Sequence, residues 1–223
     1  MTRRERATYT SAMIHHYNQF AGKSLDRLSA LSDGIFAFSM TLLFLDIRLP
    51  THETIHSEQE LLGLLTSLLP HVLTWLMSVL TLGIFWVGHQ TQLSQLKTSN
   101  RDYAWIQIAF LAVTTAVPFS TRLLGEFMEY RLALLVYWVN LFLMGALILF
   151  SWNYANRAKL VKKEVTKEIN KAVQRRVVVA QVFYAIGASL CVFNNYWSIG
   201  FIVLMQLNYA FAPRIPWLSR LTA

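Results

Sequence analysis

The sequence predicts an all-α, polytopic membrane protein of six transmembrane helices, and three observations carry that prediction. Hydrophobic residues fill 55% of the 223 positions and charged residues 14%, which is more apolar surface than a soluble domain of this size can bury. The apolar residues gather into segments long enough to cross a bilayer. The basic residues gather between those segments, in alternate connections.

The segments run over about 28–49, 64–90, 103–124, 132–154, 177–193 and 197–211, the last two near the lower length limit for a span. Residues 1–20 carry Arg3, Arg4 and Arg6 with no apolar core behind them, so they read as a cytoplasmic N-terminal segment rather than a signal peptide. Residues 21–223 read as one membrane domain. An even number of spans puts both termini on one side. Placing them in the cytoplasm leaves only Arg48, Arg122 and Arg131 of the 20 lysines and arginines outside, as the positive-inside rule requires.

The formal charge of +8 therefore answers to topology, and no nucleic-acid partner is expected. A single Cys191 excludes an intrachain disulfide.

The first segment is the most informative. Its uncharged part, Gly34 to Leu45, is too short to span alone, so the helix must take in Ser29, Ser32 and Asp33. An ionisable residue inside a spanning helix has to be paired. Leu31, Ile35, Phe38, Leu42 and Leu45, with Thr41 half a step round, form one stripe at helical spacing. Arg27 and Asp33 stand at its cytoplasmic end and Asp46 at its outer end. That gradient suits a helix lining a cation pathway, with Asp46 concentrating cations at the outer mouth.

The following outer loop holds His52-Glu53-Thr54-Ile55-His56, a literal H-E-x-x-H. That spacing binds zinc when it lies on a helix with a third ligand. These residues follow Leu49-Pro50 between two spans, so solvated loop histidines are the better reading and no metal is expected.

The second span ends in Gly83-Ile84-Phe85-Trp86-Val87-Gly88-His89. It runs back to the cytoplasmic side, which brings Trp86 and His89 to the depth of Arg27 and Asp33. A guanidinium held by Asp33, stacked near Trp86 and facing His89, would satisfy these groups together. His15, His16 and His71 have no evident partner.

The third span opens at Arg101-Asp102-Tyr103 and closes through Pro118-Phe119-Ser120-Thr121, where the proline implies a kink. The linker from Arg157 to Arg176 mixes eight basic residues with Glu164 and Glu168, and spaces Val161, Val165 and Ile169 four apart. It is expected to extend the helices into the cytoplasm and to bind anionic lipid headgroups.

Taken together, Arg27, Ser32, Asp33, Gly34, Ala37, Thr41, Leu42, Leu45 and Asp46 on the first helix, Trp86 and His89 on the second, and Pro118, Phe119 and Thr121 on the third resemble the transmembrane protein 175 family of potassium channels, in its six-helix prokaryotic form. The resemblance covers the first three spans specifically. It implies a passive potassium-selective channel in a prokaryotic cell membrane, a homotetramer with four first helices around the pore, no re-entrant selectivity loop and no cofactor beyond the permeant potassium ion.

Carried over by position, the pore layers are Phe38 toward the cytoplasm, Thr41 and Leu42 in the middle and Leu45 outside. Arg27, Ser32, Asp33, Trp86 and His89 become the buried network that holds the first helix. Two departures stand out. Leu31 occupies a position where the family pattern has Phe, and Phe38 one where the narrowest layer carries Ile or Leu. Four phenyl rings can close an axis, or offer faces worth about 0.5–2 kcal/mol each to a cation.

The alternatives are a proton-conducting or weakly selective relative, a non-conducting protein plugged by Phe38, and a membrane zinc hydrolase using His52, Glu53 and His56.

Overall fold

The computed structural model describes residues 22–45, 47 and 57–211. Asp46, Arg48, His15, His16 and the His52-Glu53-His56 sequence lie outside the described residues. The described chain is helical nearly throughout: α1 Leu25–Leu45, α2 Glu58–Ser67, α3 Leu69–Ser94, α4 Arg101–Thr115, α5 Val117–Glu126, α6 Arg131–Arg157, α7 Lys167–Ser189 and α8 Asn195–Phe211.

Five stretches are long and apolar enough to cross a membrane: α1, α3, α4 with α5, α6, and α7 with the short 3-10 turn that follows it. The chain is therefore a multi-pass membrane protein. The last helix, α8, has 17 residues and rises about 25 Å, somewhat less than the ~30 Å hydrocarbon core.

Two of the expected spans are broken, and for one reason. Pro70 and Pro118 sit in the first turns of α3 and α5, and the chain passes through Leu68 and Ala116 with the same dihedrals, φ −81° and ψ −11°. A proline ring clashes with the carbonyl four residues earlier and donates no hydrogen bond, so the helix must restart. The kink expected at Pro118 is present. The one at Pro70 is hidden in the sequence by a largely apolar, uncharged run from Leu61.

Asn140 of α6 fills the break at Ala116. With its amide turned to satisfy both partners, its nitrogen donates to the Val113 carbonyl at 3.1 Å and its oxygen accepts from Val117 N–H at 3.2 Å. A neighbouring side chain thus bridges the Val113 carbonyl and the Val117 N–H that the break separates, as a dry environment demands.

The linker between α6 and α7 departs from expectation. From Lys167 onward it extends α7 as expected, but residues 158–166 fold against the α3–α4 connection: Lys97 N–H donates to Leu160 O and Lys162 N–H to Gln95 O, each at 2.9 Å. The Lys162 ammonium adds a bond to Ser94 O at 2.7 Å. Lys159 takes a positive φ of 56° to make the turn. Thr166 then caps α7 by accepting from Ile169 N–H.

Between helices in lipid, close packing and hydrogen bonds replace the hydrophobic effect. Small residues permit the closest approaches. A Cβ on Gly187 would lie 2.9 Å from Ile202, and Ser198 of α8 donates to the Gly187 carbonyl at 2.6 Å.

A buried polar seam ties α3 to α5, α6 and α8. Thr81 gives its proton to Met77 O at 2.9 Å, so Tyr137 O–H at 3.1 Å and the Gln206 amide at 2.6 Å both donate to Thr81 Oγ1. Ser78 and Thr121 bond at 2.6 Å one turn away.

Candidate functional site: the two faces of the first helix

Helix α1 buries Leu28, Ser32, Phe36, Ser39 and Leu43, a stripe advancing by three or four residues. This stripe packs on α3, α4 and α5. Ser32 and Ser39 keep the contact close, and Phe36 fills the space beside Phe110 with ring centroids 6.1 Å apart.

Another stripe on the same helix has no contact of this kind. Leu31, Gly34, Phe38, Thr41 and Leu45 are all exposed, and Arg27, also exposed, lies four residues before Leu31 in the same register. The contrast between two phenylalanines fixes the division: Phe36 is 1% exposed and Phe38 61%. The expected stripe is present but rotated slightly. Ile35 and Leu42 are only partly open, while Gly34 and Thr41 take central places. Thr41 returns its hydroxyl proton to Ala37 O at 2.9 Å, which leaves its oxygen lone pairs directed outward.

The seam between α1 and α3 carries two polar tiers. In the exposed tier, Trp86 Nε1 donates to Asp33 Oδ1 at 2.8 Å, Gln90 Nε2 donates to the same oxygen at 2.5 Å, and Ser29 Oγ donates to Gln90 Oε1 at 3.1 Å. Two residues four apart on α1 thus meet two residues four apart on α3, the spacing that places side chains one above the other.

In the buried tier, His89 Nε2 lies 2.8 Å from Gln107 Oε1 and His89 Nδ1 lies 3.0 Å from Ser32 Oγ. An amide oxygen can only accept, so the neutral imidazole that suits both partners carries its proton on Nε2 and accepts from Ser32. The ring stacks on Phe110 at 5.0 Å and 14°.

The structure therefore brings Ser32, Asp33, Trp86 and His89 together, as two adjoining clusters. It leaves Arg27 apart: among the described residues no ion pair joins Arg27 to Asp33, and Asp33 itself is exposed in the protomer. Ser29, Gln90 and Gln107 are the members that sequence reasoning missed. The available signal was position, since Gln90 follows Trp86 by one helical turn and Gln107 interrupts an apolar helix.

Elsewhere, His71 Nε2 lies 3.6 Å from Glu126 Oε2, so it has a neighbour the sequence did not suggest. Among the described residues no group of three metal-ligating side chains occurs.

Comparison with known proteins places this geometry in context. Residues 27–118 match the family model described as "Endosomal/lysosomal potassium channel TMEM175", a range that starts at Arg27 and ends at Pro118. A potassium channel of Chamaesiphon minutus is 28% identical over 192 residues, covering 82% of this chain and 92% of that protein. A potassium channel of Streptomyces collinus is 26% identical, covering 83% and 91%. The human endosomal/lysosomal proton channel TMEM175 is 22% identical, and the match covers 88% of this chain but 38% of the human protein. The crystal structure of a lysosomal potassium-selective channel TMEM175 homolog from Chamaesiphon minutus superposes with a TM-score of 0.72 at 24% identity, over 84% of this chain and 97% of that one. That likeness establishes a common fold.

Proposed function

The chain belongs to the TMEM175 family, and from that premise we propose that it is a passive potassium-selective channel, not an enzyme, that conducts along the open face of α1. The observation that carries this reading is the division of α1. One stripe is committed to the protomer's own core, while another, bearing Phe38, Thr41 and Leu45, stays exposed among the described residues.

In the proposed homotetramer four copies of that face enclose the axis. Phe38 forms the layer nearer the cytoplasm, Thr41 with Leu42 the middle and Leu45 the outer layer, with Asp46 at the outer mouth. No re-entrant loop is needed. An apolar constriction gates by dewetting, and hydroxyl oxygens such as that of Thr41 offset part of an ion's lost hydration. The Ser32–His89–Gln107 and Asp33–Trp86–Gln90 clusters keep α1 in register on α3, so that the layers line up across subunits.

The exposed Asp33 supports assembly as well. It stands about 12 Å along α1 from Leu25, a depth at which a bare carboxylate facing hydrocarbon is costly. A neighbouring subunit or an aqueous lumen would cover it. The charge distribution of the loops supports cytoplasmic termini in a prokaryotic cell membrane, with the basic linker against anionic lipid.

Flux from proteoliposomes tests the reading. Wild-type protein should pass potassium in preference to sodium, and Phe38→Ala and Leu42→Ala should raise conductance or weaken selectivity. Currents unchanged by both would remove them from the pore. The name of the human relative favours one second reading, proton conduction, which reversal potentials in opposed potassium and pH gradients distinguish.

A further inference from the structure

Away from α1, a cavity of about 300 Å³ opens between α3, α6, α7 and α8. Its size falls at the lower end of small-ligand sites, roughly 300–1,000 Å³. Most of its wall is apolar, formed by Ile84, Val87, Ile148, Val177 and Ala180, and the exposed Arg176 stands in its lining. Arg176 belongs to α7, nine residues after the helix starts at Lys167. Gln92, also in the lining, is two residues from the end of α3.

The polar atoms of this cavity distinguish it from an ordinary packing gap. Four buried polar atoms of its lining residues, Gln92 Oε1, Gln181 Oε1, Tyr184 O–H and Tyr209 O–H, have no hydrogen-bond partner among the described residues. Polar groups left unpaired in a dry setting are costly, and these four sit on residues that line one cavity, where small side-chain adjustments would turn them toward an occupant with matching groups. Gln181 is seated there because residue 145 is glycine: a Cβ on Gly145 would collide with its amide.

We propose that this groove binds one anionic phospholipid of the phosphatidylglycerol class. The Arg176 guanidinium takes the phosphate, with geometry suited to paired N–H donors. Tyr209, which lines the same cavity as Arg176, donates to a phosphate oxygen. The Gln92 amide oxygen accepts from a headgroup hydroxyl. Tyr184, eight residues and about 12 Å further along α7 than Arg176, donates to an ester carbonyl, and an acyl chain follows the apolar wall.

A basic residue at the mouth of an apolar inter-helix groove on the cytoplasmic side is what an anionic headgroup requires. The side of the membrane rests on the orientation proposed above, whereas binding itself is independent of conduction.

Native mass spectrometry of the full-length protein, released from neutral detergent after incubation with phosphatidylglycerol or phosphatidylcholine, tests this directly. Wild type should retain phosphatidylglycerol preferentially. Arg176→Gln should weaken retention about tenfold, the effect of losing a charge-assisted contact. Ala180→Trp, which fills the groove, should abolish it. Lys97→Gln, outside both the cavity and the basic linker, should change nothing.

Equal retention of the two lipids would overturn the proposal, as would an Arg176→Gln variant that behaves like Lys97→Gln. Arg176 is exposed, so its substitution stays informative even where Ala180→Trp perturbs folding. Because lipid retention is read without ion flux, a failed channel reading and a failed lipid site give separate results.

Discussion

The indole N–H of Trp86 donates to the Asp33 carboxylate across 2.8 Å, joining α3 to α1 at a point where the protomer leaves both side chains exposed. Gln90 donates to the same oxygen. Asp33→Ala should therefore strip two donors of their acceptor and lower stability by about 1.5–3 kcal/mol, the range for hydrogen bonds to a charged group. Asp33→Asn keeps an acceptor and should cost less. Thermal unfolding and subunit retention in mild detergent read both, and Asp33→Ala assemblies as robust as wild type would remove the anchoring role.

The buried tier should respond differently. Ser32 and Gln107 both point at His89, so His89→Ala leaves two buried polar partners unsatisfied and opens a cavity beside Phe110. The expected loss is about 2–5 kcal/mol. A double-mutant cycle of Ser32→Ala and His89→Ala should return a coupling near 1 kcal/mol. Strict additivity would mean the contact contributes nothing.

Asn140→Leu conserves volume but withdraws both partners from the break at Ala116. Val117 N–H then faces a dry interior without an acceptor, while Val113 O keeps the Ala116 N–H, and a loss of about 1–3 kcal/mol follows. Pro118→Ala in the same background should recover part of it, since an alanine lets the helix run on. Absence of that recovery would show that the break is set by something other than the proline.

The two faces of α1 can be separated chemically. The chain's one cysteine, Cys191, is buried, so introduced cysteines report almost alone. If the open face lines water, a small cationic thiol reagent should modify Phe38→Cys and Leu45→Cys from the aqueous phase and alter flux, while Ser39→Cys and Leu43→Cys stay protected. Reaction of Phe38→Cys only with lipid-soluble reagents would place that face against hydrocarbon.

Much of this was legible in the sequence. The all-helical membrane class and five of the six expected spans follow from lengths of apolar runs, and the first-helix stripe from spacing alone. Three things were not. The break at Pro70 falls inside an apolar run, where hydropathy does not change. Gln90 and Gln107 carry no charge and so leave no mark in a charge-based reading.

The expectation of an Arg27–Asp33 pair failed on geometry. Six residues along an α-helix turn through 600°, which puts the two side chains about 120° apart around the axis. Opposite charge and nearness in sequence gave no hint of that. The linker misled for another reason: its valine spacing suits a helix, yet the backbone found partners in the neighbouring loop at Gln95 and Lys97.

The core-facing and open stripes of α1 share no residue, and this has an evolutionary consequence. Leu31, Gly34, Phe38, Thr41 and Leu45 are exposed among the described residues, so substitutions there disturb the protomer's core less than changes at the buried Ser32, Phe36 or Ser39. One short helix thus carries two independently mutable texts. Lineages can exchange a phenylalanine for an aliphatic residue at position 38, where the side chain is 61% exposed, without first acquiring compensating changes in the scaffold.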